Sequence, residues 1–297
     1  DREHFGPLLV QKPLYPEGRE VCQVTLALLS SAVEGTPEPR AVKLAAGIEL
    51  MHLATLVHDD SVDHSVRRRG LPTVNSLFSH QISVIMGDLL YSRALGALVR
   101  IGDIEILRIL TDVTSELAVG EMRQLGAIDR LGFTEDEYVK LIRAKTASLL
   151  AAACETGAMC GAPAHSTAMA RYGERLGMAF QIADDILDYT GNETVTGKPG
   201  GLDLKEHKVS LPMIAALPRL STAGRRRVDE LFATEAPSDE LVAEIIGIVA
   251  EAGGIDAARR RADQFMQEAE EALSGLPESP VRSSLTDAIA FVMERRS

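Results

Sequence analysis

Tryptophan is absent from this 297-residue chain, cysteine occurs only three times, and aromatic residues make up 4%. Cys22, Cys154 and Cys160 match no zinc-ligand spacing and are too few and odd in number for a disulfide framework, so a reducing, cytoplasmic setting is expected. Basic residues are also in deficit, 31 Lys and Arg against 43 Asp and Glu, for a formal net charge of −12. A general nucleic-acid binder needs a basic face, so that class is set aside. The cluster Arg225 to Arg227 reads as a solvated loop or helix start. No long apolar run is uninterrupted. The longest, Ala41 to Val57, contains Lys43, Glu49 and His52, so no integral membrane segment is expected. No signal peptide is read at the start. No stretch alternates with period two, so no sheet is expected.

What is present suits helices packed on helices. Hydrophobic residues reach 45% and are mostly Ala, Leu, Ile, Val and Met. The reading is an all-α fold, one domain over residues 1–297, built as a helical bundle. Pro7, Pro13, Pro16, Pro37 and Pro39 make residues 1–40 irregular or short helices. No proline interrupts Val74 to Ala162, which leaves room for several long helices. SVIMGDLLYSRALGALV is apolar nearly all round and reads as a buried helix. FTEDEY begins a helix, with Thr134 as N-cap and acids in the first turn. Thr190 to Lys208 is a long Gly-rich polar loop of the kind that carries function.

One short pattern occurs twice. DDSVD (Asp59 to Asp63) and DDILD (Asp184 to Asp188) each follow an apolar helical run. On a helix, residues i and i+4 share a face, so Asp59 aligns with Asp63 and Asp184 with Asp188, with Asp60 and Asp185 beside them. Such carboxylates repel unless a cation sits among them. Mg²⁺ is the natural occupant, because it takes one or two carboxylates plus waters and phosphate oxygens. Arg68 and Arg69 follow the first cluster, in the turn before Gly70, and guanidinium forks suit phosphate. Together these groups describe a magnesium-diphosphate site.

HDDSVDHSVRRRG and FQIADDILD with the following TGKPGGLDLKEHKVSLPMI resemble the two aspartate-rich regions of trans-type polyprenyl diphosphate synthases. GDLLYSRAL, the Lys145-Thr146 pair and Gln181 add to the likeness, which runs from about Ala41 to the C-terminus. The resemblance implies the isoprenoid-synthase type of helical bundle around a central cavity, usually a homodimer. It implies condensation of isopentenyl diphosphate with an allylic diphosphate. Asp59, Asp60, Asp63, Asp184, Asp185 and Asp188 would hold Mg²⁺, about three ions with substrate bound. Arg68, Lys145, Lys198 and Lys208 would grip the allylic diphosphate, and His52 and Arg69 the isopentenyl diphosphate. Thr146 and Gln181 would lie near the developing cation. In this family the cavity floor lies on the helix before the first motif. Here Thr55, Ala54 and, one turn deeper, Met51 occupy it; the first two are small, so a product longer than farnesyl is expected, unless another helix closes the tunnel at Tyr91 or Leu95.

Two departures stand out. The family's basic N-terminal segment is matched only by GREVCQ, Gly18 to Gln23. Glu20 and Cys22 stand where arginines are expected, and Lys12 or Arg40 are candidate substitutes. His207 replaces the usual glycine in EHKVSLP. A partner or regulatory subunit with a weakened isopentenyl diphosphate site therefore stays open as a second reading. A class I terpene cyclase fits less well, because DDILD is not its second metal motif and aromatics are scarce. A His-Asp phosphohydrolase would leave DDILD and RRRG unexplained, so His58 is expected to pack behind the site. TGKPGG is not a P-loop, since Pro199 stands where Ser or Thr belongs.

Overall fold

The structure, a computed structural model, describes residues 23–68, 71–126, 131–191 and 200–294. Helix α1 (Gln23–Ser31) leads into the long α2 (Pro39–Val62), whose Pro39 sits in the first turn, where its missing N–H costs nothing. After a tight connection come α3 (Val74–Leu77), α4 (His80–Val99) and α5 (Ile104–Gly126). The Ser79 hydroxyl accepts from the Ile82 amide and starts α4. Helix α6 (Glu135–Ile142) opens with a capping box: Thr134 and Glu137 satisfy each other's backbone amides. A π-helical segment, Arg143–Ala147, links α6 directly to α7 (Ser148–Gly161). Helix α8 (Ser166–Thr190) carries the second aspartate motif. The short α9 (Leu202–Lys205) and α10 (Leu211–Ala216) precede α11 (Thr222–Ala233), α12 (Asp239–Glu251), α13 (Gly254–Leu273) and α14 (Pro280–Glu294).

Helix α7 sits at the centre. Its Leu150, Cys154 and Ala158 join one core with Tyr172, Leu176 and Phe265 of α8 and α13. Its Leu149, Ala152 and Ala153 join a second core with Leu44, Ile48 and Met51 of α2 and Leu98 of α4. This two-sided burial fixes the helices bearing the two motifs relative to each other. At Gly177 a side chain is impossible without movement, because a Cβ there would lie 2.6 Å from Ala147 Cα. The absent side chain lets α8 press on the π segment, one turn before Gln181.

Two expectations are corrected. A short antiparallel ribbon does exist, pairing β1 (Arg67–Arg68) with β2 (Leu71–Pro72). It is two residues per strand and too brief for an alternating pattern to register. Helix α4 is only half buried: Ser83, Met86, Leu90 and Ala94 face the core, while Ile82, Ile85 and Leu89 are 39%, 66% and 45% exposed. An apolar helix in sequence need not be enclosed by its own chain. By length and composition α2 and α4 are each capable of crossing a bilayer, with 39% and 33% of their most apolar windows buried. Arg225 and Arg227 lie in the first two turns of α11 and pair with Asp229, Glu230 and Glu244, as expected for a solvated helix start.

Candidate active site

The first motif closes α2. Asp59 and Asp60 lie in its last turn, and Asp63 is the C-cap, its amide donating to the Asp59 carbonyl at 2.8 Å. Helix C-termini carry partial negative charge, so three carboxylates here need cations. The structure brings several. Burial pushes Asp59 up to about 6, and Lys145 and Arg68 pull against that rise. Lys208 Nζ lies 3.9 Å from Asp63 Oδ2. Asp60 is buried, and Arg68 Nε donates to both its carboxylate oxygens at 2.9 and 3.0 Å. Behind them, His58 Nε2 donates to the Val84 carbonyl at 3.1 Å and lies 3.3 Å from Asp88 Oδ1. Gly87 makes this seat, since a Cβ there would sit 2.2 Å from the His58 ring. His58 thus packs behind the site.

The second motif is the penultimate turn of α8. Asp184 is half-buried there. Asp185 is buried and accepts two side-chain hydrogen bonds, from Tyr138 Oη (2.5 Å) and Gln181 Nε2 (3.0 Å). Burial still pushes it up to about 7. Asp188 caps α9 across the loop, its two oxygens accepting from the Leu202 and Asp203 amides at 3.0 and 3.1 Å. Thr146 Oγ1 donates to Gln181 Oε1 at 2.7 Å. Lys145 Nζ contacts Glu121 Oε2 at 2.6 Å. The π segment matters here: its wider turn shifts the helical phase between α6 and α7, a feature frequent at functional sites.

The two motifs therefore share one site. Asp59 senses Lys145, whose neighbour Thr146 bonds to the second-motif helix. Lys208 approaches Asp63 and also feels Asp203, which in turn crowds Asp185 and Asp188. Burial, with those carboxylates, pushes Asp203 up to about 8. Among the described residues no three His, Cys, Asp or Glu side chains converge closely enough to hold an ion unaided. Mg²⁺ does not require that, since substrate phosphates and waters supply much of its shell. Carboxylates crowded and raised in this way fit a hard dication.

The expected ligand set divides in two. Asp60, Asp185 and Asp188 each accept hydrogen bonds, from Arg68, from Tyr138 and Gln181, and from backbone amides. Spacing alone could not separate them, because burial and partners come from other helices. Arg40 is removed as a substitute cation: it donates to the Met159 and Cys160 carbonyls at 2.7 to 3.0 Å and so closes the C-terminus of α7. His207 does occupy left-handed backbone, φ 54°, where glycine is easiest; its ring bonds to the Thr234 carbonyl at 2.9 Å and packs on Phe232. Met51 is fully buried, and Ala54 is buried against Met86 and Leu90 of α4. Thr55 is half-buried, its hydroxyl donating to the His52 carbonyl at 2.8 Å. His52 is half-buried on α2, two turns before Asp59. Arg69, Lys198, Lys12 and Gly18 to Cys22 lie outside the described residues. Glu121, Tyr138 and Asp203 were missed. Tyr138 left no local signal, since the partner that singles it out, Asp185, lies 47 residues away on another helix.

Residues 9–249 match the polyprenyl synthetase family model, and the chain belongs to that family. It is 38% identical over 279 residues to the all-trans-nonaprenyl-diphosphate synthase (geranyl-diphosphate specific) of Rhodobacter capsulatus, covering 94% of this chain and 85% of that one. It is 36% identical over 294 residues to the short chain isoprenyl diphosphate synthase of Methanothermobacter thermautotrophicus, covering 97% and 90%. Among solved structures, the polyprenyl synthase from Caulobacter crescentus CB15, complexed with calcium and isoprenyl diphosphate, superposes with a TM-score of 0.87 at 31% identity, covering 95% of this chain and 87% of that one.

Proposed function

We propose that this chain condenses isopentenyl diphosphate with an allylic diphosphate and releases an all-trans polyprenyl diphosphate longer than farnesyl. The observation that carries this reading is the single acidic mouth made by two helix ends, with Lys208 beside Asp63 and Asp203. Asp59, Asp63 and Asp184 are the carboxylates assigned to Mg²⁺, which when bound neutralises diphosphate charge. Arg68, Lys145 and Lys208 supply cationic donors to the allylic diphosphate. Arg68 donates through Nε to both Asp60 oxygens, a contact that orients its guanidinium. Lys198 and, for isopentenyl diphosphate, His52 and Arg69 complete the set. Thr146 and Gln181 face the allylic carbons, and the apolar walls of α2 and α4 exclude water that would quench a cation. Small residues at Ala54 and Thr55 leave length control to Met51 and to α4.

The exposed stripe Ile82, Ile85 and Leu89 on α4 suits a second copy of the chain, which is how we read α4 instead of as a membrane span. The assignment is tested by incubating the protein with Mg²⁺, radiolabelled isopentenyl diphosphate and geranyl or farnesyl primers, then sizing the dephosphorylated products. Products beyond farnesyl support it. No incorporation with any primer overturns it in favour of a subunit that needs a different partner.

A further inference from the structure

The hydrogen bonds beneath the second motif run in one direction. Tyr138 Oη donates to Asp185 Oδ2 (2.5 Å), Gln181 Nε2 donates to Asp185 Oδ1 (3.0 Å), and Thr146 Oγ1 donates to Gln181 Oε1 (2.7 Å). Once ionised, as at an alkaline assay pH, Asp185 is an acceptor only, so its oxygen facing Gln181 must receive that amide's NH₂. The amide oxygen is thereby turned toward Thr146. Thr146 has one hydroxyl proton, and Gln181 takes it. What remains on the Thr146 oxygen is lone pairs.

We propose that Tyr138 is a positioning residue for prenyl transfer: its hydroxyl pins the Asp185 carboxylate, which through Gln181 fixes Thr146 as an oxygen that can only accept. The inference rests on the prenyltransferase reading above and deepens it. An acceptor-only oxygen stabilises a neighbouring allylic cation without offering it a proton, and the closed network needs no water to complete it. The surroundings favour this role. Tyr138 is 2% exposed and its ring belongs to the main core, while the capping box at Thr134 fixes the helix that carries it.

Removing the phenol hydroxyl leaves Asp185 Oδ2 one donor short in a buried place, and water is the available replacement. With Asp185 no longer pinned, the Gln181 amide and the Thr146 hydroxyl are free to turn, and Thr146 then holds a water next to the carbons it faces. When the allylic C–O bond to diphosphate breaks, the water oxygen bonds to the allylic carbon, its proton passes to the departing diphosphate, and a prenyl alcohol forms in place of the elongated chain. The partition between alcohol and elongated product is therefore the readout.

The test compares wild type with Tyr138→Phe, which keeps the ring and its packing. Each is incubated with Mg²⁺, geranyl diphosphate and radiolabelled isopentenyl diphosphate, and alcohol and elongated product are measured from the same reaction. The expected result is unchanged helix content, a primer KM within about twofold, and an alcohol-to-product ratio raised about tenfold. Asp185→Asn is expected to raise the ratio similarly, because its amide can no longer accept on both sides. It also serves if Tyr138→Phe does not fold. Thr146→Ser, which keeps the hydroxyl, is expected to leave the ratio near wild type. A variant that is slower with an unchanged ratio overturns the proposal, since a merely structural tyrosine would do that. A wild type that forms no elongated product overturns the prenyltransferase reading, and this inference with it.

Discussion

The two aspartate motifs share one pattern and end two helices, yet the structure equips them differently. Around the first, the partners are cations: Arg68 on Asp60, Lys208 near Asp63, Lys145 acting on Asp59. Around Asp185 and Asp188 of the second, the donors among the described residues include neutral and backbone groups: Tyr138 and Gln181 on Asp185, the Leu202 and Asp203 amides on Asp188. A cation beside a carboxylate can be exchanged for another cation or can swing to a phosphate. A buried phenol or amide bond cannot be given up without leaving a polar group unpaired, at about 1–3 kcal/mol. On the proposed function, the first motif would trade charge with substrate, while Asp185 and Asp188 of the second would hold the frame around Asp184.

The largest effect is expected where the two motifs agree. Asp59→Ala and Asp184→Ala should each lower kcat by about a thousandfold or more with helix content unchanged. Near-normal rates in either would remove the metal assignment. The contrast itself is sharpened by Asp60→Asn. It should raise the KM for the allylic substrate about tenfold by loosening Arg68, while the Mg²⁺ concentration for half-maximal rate moves little. A large shift in that Mg²⁺ requirement would mean Asp60 ligates metal, and the division into inner and outer carboxylates would fail.

The pH dependence follows from the raised carboxyls, Asp59 to about 6, Asp185 to about 7 and Asp203 to about 8, each chiefly through burial. Between the ordinary carboxylate range and those values the folded chain binds more protons than the unfolded chain, so stability rises as pH falls. In chelator, the thermal midpoint should fall as pH is raised from about 5 to about 8, by several degrees. Mg²⁺ with inorganic diphosphate should restore most at the high end. A midpoint that rises over that range would show these carboxyls are not held protonated.

The smallest effect on rate, with a clear effect on product, is expected from Ala54→Phe. The ring must displace Met86 or Leu90, or turn away from them into the proposed chain-length channel. Product should shorten, with about 1–3 kcal/mol of stability lost to overpacking. Unchanged length would place the floor on another helix.

Much was legible beforehand because it depends on local chemistry. Repeated DDxxD at i, i+4 spacing, a threonine followed by acids, and a proline-free stretch each act through neighbours in sequence, and they marked out the helical class, the candidate acidic cluster and the N-cap of α6 at Thr134. The half-exposed α4 was misread because periodicity reports which residues are apolar and says nothing of whether the same chain covers them. Glu121, Tyr138 and Asp203 escaped notice because a glutamate, tyrosine or aspartate on a helix is unremarkable until another helix arrives beside it. Only packing chose which aspartates are engaged, gave Arg40 to the end of α7, and set Lys208 beside Asp63. Charge and spacing along the chain determined what the site is made of. Burial and partners from distant helices decided which oxygen stays open, because a carboxylate's role is set by the donors that reach it.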